Sequence, residues 1–280
     1  MTTPGLPVGR TASGQLLLSN YQNSQQTIAT RVALAIQNLW RSIINPAKFD
    51  DSWQTMNPIA NGIISTHFDM AAANAAQYYA NSRVTAGFPH IHVPGLPVNE
   101  DYIDKVVNIM GRGQFYHYLK EQDEAAAASM ASDALRGSST RLVLNGGRET
   151  VVRAAGVDPV ALGWERVIEP GACSFCSMLA GRGGVYKEST VNFRAHDHCH
   201  CVGRPVFRGQ TSVNRDLSDK WGEVTKGKRG AAARAEWDKY WSSNGKPEAT
   251  AVPSKEGAGP ASVAVESVGR SALSNNAANG

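Results

Sequence analysis

Long apolar runs are missing from this 280-residue sequence, and charged residues make up only 19% of it. Because a membrane-spanning helix needs roughly twenty consecutive apolar residues, we expect no span and no membrane partner. The opening stretch MTTPGLPVGRTASG has no basic segment followed by an apolar one, which argues against a secretory leader. We therefore expect a protein made in a reducing cytoplasm, where paired cysteines bind metal more often than they form disulfides.

Common catalytic signatures are missing as well. The sequence contains no H-E-x-x-H, no H-x-E paired with P-C-x-x-C and no G-x-S-x-G, and its glycine-rich stretches NGGRE and GRGG carry no Walker lysine. We interpret both stretches as turns. A serine–histidine site would have to combine His90 or His92 with Ser138 or Ser139, and any chain of this size offers such combinations. Motifs therefore leave the catalytic residues unknown and favour a protein that is not an enzyme.

Hydrophobic periodicity predicts a mainly α fold with long N-terminal helices. Apolar residues recur three and four positions apart along one helix face, at Ile28, Val32, Ile36, Leu39 and Ile43. The predicted helices cover residues 16–44, 52–82, 100–119, 123–136 and 138–155. Alternation at Val160, Leu162 and Trp164 predicts a half-buried strand, and VGRPVF predicts a second strand that closes the same module.

Changes in composition divide the chain into five parts. We predict a flexible arm at 1–15, a helical domain at 16–155, a small α+β metal-knuckle module at 156–210, a basic helix at 211–245 and a disordered tail at 246–280. The tail has no aromatic residue and consists mostly of Ala, Ser, Gly, Asn, Pro and Val, so it lacks the side chains that build a core.

Positive charge is concentrated near the C-terminus. Residues 204–246 hold ten Lys and Arg against five Asp and Glu, a surplus larger than the net +4 of the whole chain. Such a region can contact nucleic acid or an acidic protein, although a solvated basic helix explains it equally well. Trp221, Trp237 and Trp241 could stack on bases, or they could form the apolar face of a helix that docks on a partner.

All four cysteines lie in two short clusters, CSFC at 173–176 and HDHCHC at 196–201. Zinc prefers four tetrahedral ligands from thiolates and imidazoles, and a C-x2-C turn supplies two of them. The candidate ligands, from which four would be drawn, are Cys173, Cys176, His196, Cys199 and Cys201. Two alternatives remain open: buried free thiols beside a histidine-rich loop, and disulfides in a particle that later meets an oxidising exterior.

The surplus of candidate ligands favours a structural zinc site over a catalytic one. A catalytic zinc usually has three protein ligands and keeps one position open for water, whereas five candidates suffice to close the shell. We interpret Asp197, His198 and His200 as neighbours of the ligands, of which Asp197 and His198 could orient them by hydrogen bonds. Such a metal contributes folding free energy to a module that has no sizeable core of its own.

The segment GACSFCSMLAGRGGVY, followed by HDHCHC and PVF, resembles the core of phage minor head proteins of the Mu F-like type. The signature of that family is C-x2-C, a Leu-x-Gly segment, and a histidine three residues before C-x-C. Its positions are occupied here by Cys173, Cys176, Leu179, Gly181, His196, Cys199 and Cys201. Asp197 stands where the family usually has proline and His200 where it usually has arginine. The resemblance covers residues 140–210, about a quarter of the chain.

This resemblance implies a role in head morphogenesis, with a few copies near the portal inside the capsid of a virion assembled in the host cytoplasm. The implied partners are portal and capsid or scaffold proteins, and packaged DNA could meet the basic C-terminal region. Proteins that look like this are also often labelled capsid maturation proteases, which cleave scaffold or major capsid protein. Three hypotheses follow: an assembly protein held together by zinc, a maturation protease, and a DNA-binding factor.

Overall fold

The computed structural model describes residues 12–169, 171–182, 193, 195–197 and 199–244. The predicted disordered tail and the first eleven residues of the predicted arm lie outside these ranges. The helices are α1 (Ala12–Ile43), α2 (Phe49–Thr85), α3 (Glu100–Asn108), α4 (Gln114–Tyr118), α5 (Glu124–Val157), α6 (Ser174–Gly181), α7 (Arg215–Val224) and α8 (Gly230–Ser243). Two strands, β1 (Ala161–Val167) and β2 (Val202–Phe207), complete a mainly α fold, as predicted.

Three long helices, α1, α2 and α5, pack against one another and form the body of the protein. The predicted stripe on α1 faces this core, since Val32 and Ile36 are completely buried and Ile28 nearly so. α1 begins at Ala12, inside the range predicted as an arm, because Leu18 and Tyr21 in its first turns are buried. Tyr21 also stacks on Tyr78 of α2, with ring centroids 4.0 Å apart. No helix in the described part of the chain is both long and apolar enough to cross a membrane.

Helix α5 runs without a break through the positions where a helix end and a glycine turn are predicted. The NGGRE stretch at residues 145–149 lies inside it, so the interpretation of that stretch as a turn is wrong. Its glycines allow close packing instead: a Cβ atom on Gly146 would lie 2.8 Å from the carbonyl oxygen of Phe68, and one on Gly147 would lie 2.8 Å from Oε1 of Gln25. Tertiary packing thus outweighs the low helix propensity of glycine.

The two strands form one antiparallel pair, in which Val167 lies opposite Val202 and Ala161 opposite Phe207. A bulge follows Ala161, where Gly163 adopts a φ of +140°, a value that L side chains rarely adopt. The sheet packs on α5 at Gly203, whose added Cβ would lie 3.4 Å from Val151. Both predicted strands are therefore present, and they pack on α5, one of the three long helices of the core.

The basic segment predicted as one helix at 211–245 consists of two helices, α7 and α8. The chain turns between them, where Gly227 and Gly230 have φ values of +74° and +57°. Glycine tolerates this left-handed backbone conformation at no steric cost, which explains where the helix stops. α8 then folds back, so that Trp237 and Trp241 become buried.

Candidate metal centre

The antiparallel sheet brings the two cysteine clusters together. Cys173 and Cys176 follow β1, at the beginning of α6, whereas His196, Cys199 and Cys201 precede β2. The end of β1 is paired with the start of β2, so residues after one strand and before the other lie at the same edge of the sheet. Contacts between residues about twenty positions apart in sequence follow from this topology.

The five candidate ligands form two overlapping triads. Cys173, Cys176 and His196 have ligand atoms within 4.8 Å of one another, and so do Cys176, Cys199 and Cys201. His196 Nε2 lies 2.8 Å from Cys173 Sγ and 3.8 Å from Cys176 Sγ, and the Sγ atoms of Cys176 and Cys199 are 3.5 Å apart. All five predicted ligands are thus brought together, with Cys176 shared by both triads.

The cluster combines a buried side with an accessible one. Cys176, Cys199 and Cys201 are buried, Cys173 is half-buried and His196 is exposed. All four cysteines are free thiols in this structure rather than disulfides. Thiolate sulfurs and an imidazole nitrogen are soft donors of the kind that bind zinc and related transition metals. The cluster can therefore hold a metal ion.

Electrostatics favour ionised sulfur at two positions of the cluster. Burial raises the pKa of Cys173, but the backbone N–H of Cys176 and the ring of His196 outweigh it and leave the pKa below its usual value. Hydrogen bonding with Cys176 and Cys201 lowers the pKa of Cys199, while the same contact with Cys199 raises the pKa of Cys176. Adjacent thiols cannot all ionise unless a cation offsets their charges, which is what a bound metal does.

The model of the VG15 protein family matches residues 15–224, three quarters of the chain, including all five candidate ligands. The chain belongs to the VG15 family. This is a family of phage proteins. No curated protein and no solved structure matches the chain.

In this VG15 chain, the C-x2-C half of the cluster rests on the C-terminal helices. The indole Nε1 of Trp237 donates a hydrogen bond to Ser177 Oγ at 2.9 Å, and that of Trp241 donates to the carbonyl of Ala172 at 3.0 Å. Trp237 and Trp241 are therefore unable to stack on bases in this fold, so that interpretation is wrong for them. The alternative was an apolar helix face that docks on a partner; Trp237 and Trp241 instead pack within the chain, against α6 and the residues that precede it.

Two buried arginines support the cluster, and neither is among the predicted site residues. Arg148 of α5 donates to the carbonyls of Cys199 and Cys201, and Nη1 of Arg166 on β1 lies 3.9 Å from Cys176 Sγ. The one sequence signal for Arg148 is its position directly after the two glycines of NGGRE. That signal is informative only when NGGRE is recognised as helical.

Of the three residues predicted to be neighbours of the candidate ligands, the structure describes Asp197 and His200. The carbonyl of Asp197 lies 2.6 Å from Nδ1 of His196, and its carboxylate pairs with Arg141 at 2.7 Å, so Asp197 does help to orient this ligand. His200, between the two buried cysteines, is half-buried. His198 lies outside the described residues.

The serine–histidine combination is not assembled among the described residues of the VG15 chain. Ser138 and Ser139 are fully buried in α5, and both hydroxyls donate to the carbonyl of Leu135. His90 and His92 are exposed on the loop that follows α2. That loop reaches α5 where the backbone of Leu96 meets Thr150, twelve residues or about 18 Å along the helix from Ser138. This arrangement offers no general base to either serine.

Proposed function

We propose that this VG15-family protein is a minor capsid protein that associates with portal and capsid or scaffold proteins during procapsid assembly, and that it stays inside the capsid near the portal. The observation that carries the proposal is the assembly of all five Cys and His residues of the Mu F-like signature into one cluster. Membership of a phage protein family supports the same conclusion. The long helical bundle supplies extended surfaces of the kind that dock on a large assembly.

We propose that the metal is zinc. Zn–S distances of about 2.3 Å and Zn–N distances of about 2.0 Å place tetrahedral ligand atoms roughly 3.5–3.8 Å apart. The separations of 3.5 Å between Cys176 and Cys199 and of 3.8 Å between Cys176 and His196 fit this spacing. The shorter 2.8 Å separation of Cys173 and His196 is that of a direct hydrogen bond, which a bound ion would replace.

A structural role for zinc follows from what surrounds it. A single two-stranded sheet is marginally stable by itself, and here its two strands are joined by a long connection, residues 168–201, that contains the cluster. A metal that binds both sides of this connection contributes its binding free energy to the fold. A tetrahedral shell completed by four of these five donors would leave no position for water, which supports a non-enzymatic assembly protein.

We further propose that the turn between α7 and α8 contacts packaged DNA. Lys226, Lys228 and Arg229 are exposed there within four consecutive positions. Glu236 pairs with Lys228 at 2.6 Å, so the turn is less basic than its sequence indicates. Because phosphate contacts release counterions, binding of duplex DNA through these residues should weaken steeply as salt rises.

Co-expression with the portal, scaffold and major capsid proteins of its phage tests the proposed function. Particles would be isolated by sedimentation, and every protein in them would be measured by intact mass. We expect the wild-type chain to co-sediment with particles that contain portal, and the Cys176→Ser variant to be depleted. Absence of the wild-type chain from such particles would contradict the assembly role.

The same experiment decides the protease alternative. Scaffold and capsid precursors should keep their full mass in the presence of the wild-type chain. If precursors are shortened at defined sites and one of Ser138→Ala, Ser139→Ala or His90→Ala stops the cleavage without loss of helix content, the protein is a maturation protease. The metal centre would then support an enzyme.

A further inference from the structure

Arg148 is a buried cation in the middle of a helix. Its exposed fraction is 1%, and it is among the largest fully buried side chains of the described protein. Its guanidinium donates to the carbonyl of Cys201 at 2.9 Å through Nε, to the carbonyl of Cys199 through Nη2, and to Asn145 Oδ1 at 3.0 Å through Nη1. All three acceptors are neutral oxygens, and two of them are backbone carbonyls of the cysteine cluster.

A buried guanidinium is costly unless a negative charge lies close to it. Within the described residues, no carboxylate forms a salt bridge with Arg148. Acidic groups near it include the carboxyl of Glu169 and the sulfurs of Cys199 and Cys201. What distinguishes Arg148 is its geometry: it lies where two backbone carbonyls of the cysteine cluster converge on one guanidinium.

Arg166 places a second guanidinium on the other half of the cluster. Its Nη1 lies 3.9 Å from Sγ of Cys176, the cysteine shared by both triads. Its Cζ lies 3.8 Å from the centroid of the Phe193 ring, and Cζ of Arg148 lies 5.1 Å from the same centroid. Both guanidinium groups thus lie close to the ring of Phe193, and this packing restricts the positions of the two arginine side chains.

We propose that Arg148 is a positioning residue of the metal centre: its planar guanidinium fixes the two backbone carbonyls, of Cys199 and Cys201, on either side of His200. Consequently Cys199 and Cys201 present their sulfurs at a position set by α5 and the bundle. This inference depends on the proposed metal centre. It adds that the bundle, through Arg148, tunes the affinity of that centre.

Zinc affinity and cobalt spectra of three variants of the full-length chain test the role of Arg148. Arg148→Met keeps the length of the side chain and removes its charge and donors. Arg148→Lys keeps the charge without the planar fork. Arg153→Met makes the same change at an exposed position of the same helix and is the matched control. Each chain would be titrated with zinc against a chromophoric chelator and with Co²⁺ for its thiolate charge-transfer bands, with far-UV circular dichroism to record helix content.

We expect Arg148→Met to weaken zinc binding by roughly 10- to 100-fold, the usual effect of removing a group that orients metal ligands. Arg148→Lys should lie between this variant and the wild type, with altered Co²⁺ bands, and Arg153→Met should match the wild type. Wild-type affinity and bands in Arg148→Met would overturn the inference.

The remaining outcomes are equally decisive. Loss of helix content in both Arg148 variants, even with zinc present, would place Arg148 in the bundle core and would also overturn its role at the metal. If the folded wild type binds neither zinc nor Co²⁺, the metal centre itself fails, and with it the zinc part of the proposed function. If the wild type binds zinc and Arg148→Met binds it with the same affinity, only the role of Arg148 is refuted, and the proposed metal centre stands.

Discussion

The contact between α2 and α5 makes a sharp prediction about two helical glycines. A Cβ atom on Gly146 would lie 2.8 Å from the backbone oxygen of Phe68, closer than real Cβ contacts, and a backbone atom cannot turn aside. Gly62, in α2, has nothing within 4 Å of the same added atom. Both substitutions to alanine gain the same helix propensity, and only one of them creates a clash.

The expected changes in the free energy of unfolding differ between the two variants. Replacing a helical glycine by alanine stabilises a helix by roughly 0.5–1 kcal/mol, which we expect in full for Gly62→Ala. Overpacking of a close contact costs roughly 1–3 kcal/mol, so Gly146→Ala should be near neutral at best and destabilised by about 2.5 kcal/mol at worst. The difference between the variants isolates the packing effect at about 1–3 kcal/mol.

Urea unfolding followed by far-UV circular dichroism measures this difference, with zinc held at one concentration throughout. The slope of the free energy with urea should stay unchanged, since neither substitution alters the surface exposed on unfolding. Equal stabilisation by Gly146→Ala and Gly62→Ala would show that α2 and α5 do not approach as closely as described. The placement of Arg148, two positions after Gly146, would then lose its basis.

Three other perturbations follow from the cluster and its supports. Cys176→Ser should reduce zinc affinity more than Cys173→Ser, because Cys176 belongs to both triads; equal losses in a chelator titration would contradict this. Trp237→Ala should destabilise the folded protein by about 3–5 kcal/mol in urea unfolding, since Trp237 is fully buried, whereas the exposed Val157→Ala should change little. Removal of metal with a chelator should lower the melting temperature of the wild type, and an unchanged temperature would argue against a structural metal.

Much of the architecture could be predicted from local patterns. The stripe on α1 and the alternation in β1 each reflect a face that packs on a core, so their periods indicate helix and strand directly. The clustering of every cysteine into C-x2-C and C-x-C likewise predicted that these residues would lie together, because few roles other than metal binding require that spacing. Five of five predicted ligands lie together.

The misplaced elements all contain glycine. Propensity alone treats Gly146 and Gly147 as helix breakers, yet α5 needs them where Phe68 and Gln25 approach. Gly227 and Gly230 have the opposite effect: they adopt positive φ where the chain turns between α7 and α8, and Gly230 is the first residue of α8. Nothing in a single sequence distinguishes a glycine selected for close packing from one selected for a turn, since the difference lies in a partner distant along the chain.

The two halves of the metal shell are held by different parts of the molecule, and this bears on what the metal does. Cys173 and Cys176 belong to α6, which rests on α8 through Trp237, beyond the end of the VG15 match at residue 224. Cys199 and Cys201 are held by Arg148 of the bundle. An ion bound by both halves therefore joins the bundle to the C-terminal helices in one fixed orientation. One buried apolar cluster already contains Val151 of α5, Met178 of α6 and Trp237 of α8, so such an ion would fix the orientation of elements that apolar contacts already join.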